Sequence, residues 1–199
     1  MKPIKVLKDL EVLKVLLNKW RSRILQLLTV QEYTIKQLSE VLEINPGTVS
    51  HHINALKEVG LIEETRTEMK RNIVVRYYRA AAEEFRVDFN IITEEEDREI
   101  AQWAKSRIRG LIDALRAYSI DIPEKDYAEA EGLITEFINL ENRLKEKIAT
   151  NNPKLLENVT PATKRDAFTL LTHYQLNQNP EYIALREKLL NFLKNYEVN

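Results

Sequence analysis

Cysteine is missing from all 199 residues. Its absence removes disulfides, thiolate zinc sites and cysteine nucleophiles together, and it suits a reducing compartment. Glycine is reduced to four residues, and the chain has no phosphate-cradling glycine loop, no HExxH pair and no nucleophile elbow. No stretch approaches the roughly 18 uninterrupted apolar residues of a membrane span. The charged, amphipathic N-terminus also lacks the apolar run of a signal peptide. A cytoplasmic protein with no membrane partner is the expectation. Charge of one sign is lacking overall, with a formal net charge of −1, but the halves differ. Residues 1–80 carry 14 Lys and Arg against 9 Asp and Glu, and residues 81–199 carry 16 against 22. A mildly basic front joined to an acidic rear fits a nucleic-acid reader with an appended module of another kind.

Helical spacing dominates what is present. Leu13, Leu17, Trp20, Ile24 and Leu27 recur in steps of three and four from Leu10 onward, which marks one buried helical face with a bend near Asn18. Thr34-Ile35-Lys36-Gln37 is a capping box opening a short helix that buries Ile35, Leu38, Val41 and Leu42. Asn45-Pro46 is a second start signal, an N-cap followed by a first-turn proline. The helix it opens, 46–59, turns Val49, Ile53 and Leu56 inward and stops at Gly60. Two short helices joined by a tight turn predict a helix-turn-helix. Leu61–Thr65 and Ile73–Tyr78 are rich in β-branched and aromatic residues and read as strands flanking a polar loop, Arg66–Asn72. They form a hairpin, or wing, over 61–79.

After a connecting stretch from Ala80 to Ile92 the sequence reads as helical throughout. Thr93 and Glu96 form another box, ahead of Ile100, Trp103, Ala104, Ile108, Leu111 and Leu115. Pro123 precedes a helix with Tyr127, Ile134, Phe137, Ile138, Leu144 and Ile148. Asn152-Pro153, Thr160-Pro161 and Asn179-Pro180 each predict a further helix start. The fold class expected is mainly α with a small β-hairpin wing. A winged helix-turn-helix domain spans 1–80 and a C-terminal α-helical dimerisation region spans 81–199.

The front of the chain resembles a known family. Leu17-Asn18, Arg21, Ile24-Leu25 and Leu27-Leu28 resemble the opening helix of the ArsR-type winged-helix regulators. Thr34-Ile35, Leu38-Ser39 and Leu42, followed by Thr48-Val49-Ser50-His51-His52-Ile53, Leu56 and Gly60-Leu61-Ile62, look like that family's helix-turn-helix. Val75 and Tyr77-Tyr78-Arg79-Ala80 are similar to the exit of its wing. The layout of 81–199 resembles archaeal-type members with a long helical C-terminal extension. The resemblance implies a transcription regulator that binds double-stranded DNA as a homodimer, with repression as its default. The family's metal sites use cysteine pairs or Asp/His sets on the last helix. This chain has no Cys, and His173 is its sole His outside 46–59, so metal sensing does not carry over.

A helix reading the major groove needs polar side chains on its outer face. With Val49, Ile53 and Leu56 inward, that face is Thr48, Ser50, His51, Asn54 and Lys57. Ser50, His51 and Asn54 suit base edges, and Thr48 and Lys57 suit phosphates. Arg66, Lys70 and Arg71 in the wing are cations fit for phosphates or a narrow minor groove, and Lys36 is a further phosphate candidate. His51 and His52 lie about 100° apart on a helix and make a poor chelating pair; His52 reads as packed. A single domain of this size binds weakly, so a second copy reading a second half-site is expected. Trp20 and Trp103 read first as core and second as anchors of that interface. Tyr118, Tyr127, Phe137, Trp103 and Tyr174 would line a pocket for an unidentified small-molecule effector, but nothing polar clusters among them, which favours a plain dimerisation bundle. The acidic run Glu94–Asp97 is read as a helix first turn favoured by the dipole. No catalytic residue, metal site or cofactor is expected. The competing reading is a winged-helix protein-interaction module without DNA binding.

Overall fold

The computed structural model describes residues 1–150 and 159–198, and at Lys70 the backbone alone. The chain divides into two compact units, Met1–Phe85 and Arg86–Asn199.

The first unit opens with strand β1 (Lys2–Leu7), followed by helices α1 (Leu10–Leu17) and α2 (Lys19–Val30). One apolar stripe serves both helices, because Asn18 sits between them in extended conformation and its Oδ1 accepts from the Trp20 and Arg21 N–H groups. The bend read from the sequence is therefore a cap. Helix α3 (Ile35–Leu42) starts on the full Thr34 capping box: Thr34 Oγ1 accepts from the Gln37 N–H at 3.2 Å, and Gln37 Oε1 accepts from the Thr34 N–H at 2.9 Å. Val41 is 53% exposed, which corrects its expected place in the core. At 3.6 residues per turn the inward arc holds Ile35, Leu38, Ser39 and Leu42, and Ser39 is buried with its hydroxyl donated to the Lys36 carbonyl.

Helix α4 (Pro46–Glu58) begins on Asn45, whose Oδ1 accepts from the Gly47 N–H at 2.7 Å. Its end is a Schellman motif. The Gly60 N–H donates to the Lys57 carbonyl and the Leu61 N–H to the Leu56 carbonyl, both at 2.9 Å, with Gly60 at φ +65°. That left-handed position is why a glycine stands there. Leu56 and Leu61, fully buried, are the apolar pair that accompanies the motif.

Strands β2 (Ile62–Lys70) and β3 (Ile73–Ala80) form an antiparallel hairpin with a bulge between Glu64 and Arg66. The expected polar loop 66–72 is corrected here: strand pairing runs to Lys70↔Ile73, and only Arg71 and Asn72 make the turn, at φ +46° and +69°. Two consecutive left-handed residues are the signature of the tight hairpin turn whose twist matches its strands. Charged residues fit these strands because the outer hairpin has water on both sides.

Strand β4 (Ala82–Val87) pairs with β1. Both strands were missed by sequence reasoning, which left 80–92 as a connection. Ile4, Val6 and Ala82 are buried there. A helix-turn-helix followed by a hairpin is the winged helix-turn-helix architecture, and the molecule is mainly helical.

The second unit holds α5 (Arg98–Leu115), α6 (Tyr127–Thr150), α7 (Pro161–Leu176) and α8 (Pro180–Lys194). Helix α5 is capped by Asp97, whose Oδ1 accepts from the Ile100 N–H. The Thr93 hydroxyl accepts from the Glu96 N–H in a turn ahead of the helix, so the expected box and acidic first turn precede α5. Thr160 and Asn179 cap α7 and α8, with prolines in first position. The start expected at Asn152-Pro153 lies outside the described residues. Helix α6 is the spine: Phe137 packs against one core around Ile112, Ile134 and Phe192 and another around Leu140, Leu176 and Tyr182. Two buried asparagines of α6 hold the incoming chain. Asn139 Oδ1 accepts from the Phe89 N–H at 2.9 Å, and Asn142 Nδ2 donates to the Val87 carbonyl at 3.1 Å.

Candidate nucleic-acid interface

The inner face of α4 carries Val49, His52, Ile53 and Leu56, all buried. That burial fixes the outer face. Thr48, His51, Asn54 and Lys57 are exposed and Ser50 is half-buried, so the five residues expected on that surface are presented by one helix, with Gly47 and Glu58 among them. By the helical period His51 and Asn54 flank the middle of that face, where Gly47 and Glu58 lie. The His51 and His52 rings approach each other tilted, and among the described residues the side chains of His51 and Asn54 have no hydrogen-bond partner. Lys57 Nζ lies 3.6 Å from Glu64 Oε2, at the base of the wing.

His52 is 6% exposed, and neither ring nitrogen has a hydrogen-bond partner among the described residues. Burial, reinforced by the Arg21 guanidinium and by His51, pushes its pKa below the usual imidazole value. It is a packed, neutral imidazole.

The wing is fastened at its base. Tyr33, just ahead of α3, exchanges two backbone hydrogen bonds with Tyr78 of β3, at 3.1 and 2.9 Å. Beside that bridge Arg66 Nε donates to Glu32 Oε2 at 3.0 Å, and the guanidinium stacks on the Tyr77 ring at 3.6 Å. Arg66 also pairs with Glu68, which accepts from the Tyr77 hydroxyl. The hydrogen bond from Arg66 holds the Glu32 carboxyl below the ordinary carboxylate range, and the same bond raises Arg66. The structure thus places Arg66 in a carboxylate and aromatic clasp.

The other cations are placed differently. Lys36 is exposed in the first turn of α3, with Glu40 one turn along at 3.9 Å. Arg71 is at the turn, exposed, and makes no ion pair with a described residue. Lys70 ends β2, and its side chain lies outside the described residues. Sequence reasoning missed Arg76, exposed opposite Thr67 in β3, with Glu64 its partner at 3.9 Å. The alternation of β3 around the buried Tyr77 carried the signal for it.

The aromatic residues considered for an effector pocket differ in their surroundings, though Tyr127 and Phe137 pack against one core. Tyr118 and Tyr174 are exposed, the Tyr127 hydroxyl donates to Asp113, and Phe137 packs on the Tyr182 ring. Trp20 and Trp103 are half-buried. Among the described residues no helix is long and apolar enough to cross a membrane.

Residues 18–64 match the family described as bacterial regulatory protein, arsR family. No curated protein matches the chain. Among solved structures, reduced HlyU from Vibrio cholerae is similar at 25% identity, over 38% of this chain and 74% of that one, with a TM-score of 0.33. The homodimeric winged helix-turn-helix DNA-binding domain (fragment 1–100) of a possible ArsR-family transcriptional regulator from Mycobacterium bovis is 34% identical over 37% and 64%, TM-score 0.33. The transcriptional repressor BigR from Xylella fastidiosa is 26% identical over 36% and 66%, TM-score 0.31.

Proposed function

Residues 18–64 of this chain form a helix-turn-helix segment of the arsR family, and from that premise we propose that the protein is a transcription regulator binding specific sites in double-stranded DNA. The observation that carries the reading is the outer face of α4: Thr48, His51 and Asn54 are exposed with no side-chain hydrogen bond to a described residue, on a helix whose start, end and inner face are all fixed. Helix α4 lies in the major groove, where His51, Asn54 and Ser50 meet base edges, while Thr48, Lys57 and Lys36 meet phosphates. The wing lies along the backbone or minor groove through Arg71, Lys70 and Arg66, the last on release from its carboxylates.

The protein acts as a homodimer in the cytoplasm, because one such domain covers too few base pairs for tight binding, whereas two reading half-sites about 34 Å apart recover affinity. The helical unit after Arg86 supplies the pairing surface, in the manner of archaeal-type members with a long C-terminal extension, and repression follows from occupying a promoter. No effector, metal or cofactor is assigned.

The test is fluorescence anisotropy with the full-length protein against its own upstream region and against random duplex, at two salt concentrations. Specific binding roughly a thousandfold tighter than random supports the reading, provided that Asn54→Ala with His51→Ala removes the preference. Absence of binding to every duplex recovered from a genomic fragment library at low salt overturns it, and gives the α4 face to a protein partner.

A further inference from the structure

The outer end of the wing has a composition that phosphate binding does not explain. Met69 is 70% exposed, Ile73 67% and Val74 52%. Met69 and Val74 are directly paired across the hairpin, while Ile73 sits opposite Lys70 on the other face. Apolar side chains therefore stand bare on both sides of a two-residue turn. Tyr77 is the last buried residue before the tip, so the ribbon projects by about five residues, or about 17 Å at the rise of a strand. From Met69 to Arg76 the sequence has three cations and no acid, which marks the occupant as a polyanion with an apolar interior.

We infer that the wing tip is an apolar wedge for the minor groove, with Met69, Val74 and Ile73 against the sugar and base walls and Arg71 leading, and that it selects A·T pairs where it enters. This deepens the proposed DNA-binding function and rests on it. The minor groove is only about 6 Å wide, too narrow for a two-stranded ribbon but open to the side chains of a tight turn. Apolar side chains pressed into it are a recognised way of engaging DNA. The guanine 2-amino group is the one polar donor on the groove floor, and an apolar side chain has no acceptor to offer it. A·T pairs lack it. A second copy of the chain meeting the wing tip to tip would set Arg71 against Arg71, which like-charge repulsion disfavours.

The experiment uses full-length protein and the duplex it selects from a random 30-base-pair pool. Met69→Thr with Val74→Thr keeps strand propensity and removes the apolar tip; Met69→Gln alone serves if the double variant melts early. Affinity is expected to fall by about tenfold, with the log–log salt slope unchanged, since no phosphate contact is lost. Arg71→Asn, which tolerates the left-handed turn, is expected to lower that slope by about one. Exchanging the A·T pairs outside the α4 contact for G·C should weaken the wild type and not the double variant, and inosine·cytosine pairs, lacking the 2-amino group, should restore it. Unchanged affinity in the double variant overturns the wedge, as does a loss accompanied by the slope change of Arg71→Asn. Altered sedimentation of the double variant without DNA also overturns it, by making the tip a protein contact. Recovery of no duplex at all is the failure of the DNA-binding reading itself, distinguishable because it precedes every variant.

Discussion

His51 and His52 are neighbours in sequence and opposites in environment. The first stands on the outer face of α4 beside Asn54; the second is enclosed with Val49, Ile53 and Leu56, its ring nitrogens without partners among the described residues. About 100° of one helix thus separates residues packed in the core of the domain from residues turned to water. Substitutions on the inner face should register in melting temperature, and those on the outer face only in what the helix binds.

The largest effect expected is Leu56→Ala. Leu56 is fully buried and supports both the helix-turn-helix packing and the Schellman end, so truncation should cost about 2–5 kcal/mol in denaturant unfolding. Asn54→Ala with His51→Ala should sharpen the comparison from the other side: melting unchanged, and specific duplex affinity reduced by roughly 1–3 kcal/mol per lost base contact. Equal losses in melting and in binding would break it.

His52 offers a gentler test through pH. Its folded pKa is depressed below the ordinary value of about 6.5 by burial first and Arg21 second. The neutral imidazole therefore contributes stability that is fully present above about pH 6.5. That stability is lost as pH falls from there through the lower folded value, because the unfolded chain takes up the proton first. A melting profile over this window should decline in the wild type and flatten in His52→Leu; a decline that persists would assign the effect elsewhere.

Smaller again is Arg66→Met. Its ion pair with Glu32 is partly exposed, so global stability should hardly change, and amide exchange at Tyr33 and Tyr78 should report any loosening of the wing base. Val41→Thr should be within about 0.5 kcal/mol of neutral, since Val41 faces water.

What was legible in the sequence was what is local. Thr34, Asn45, Thr160 and Asn179 announce helix starts because a cap and its donors lie within three residues, and Gly60 announces an end for the same reason. The arsR-like string between Leu17 and Ile62 is a record of those local decisions. Strands β1 and β4 were not legible, because each exists only through a partner almost eighty residues away. Arg66 looked like a loose cation because Glu32, which holds it, is 34 residues distant. Val41 was assigned inward by composition, and the helical period excluded it. In the candidate interface the α4 positions came from periodicity, whereas the shape of the wing depended on how far β2 and β3 pair.

The Tyr33–Tyr78 bridge, seconded by Glu32 and Arg66, joins the hairpin to the segment ahead of α3 in the manner of a caliper. For a protein reading DNA, a caliper distinguishes errors of spelling from errors of spacing. Under the proposed reading, a changed base under α4 would remove one contact and leave the others seated. On the same reading, an inserted base between the stretch under α4 and the stretch under the wing would move one jaw off its mark. Operators for such a reader would tolerate letters more readily than lengths.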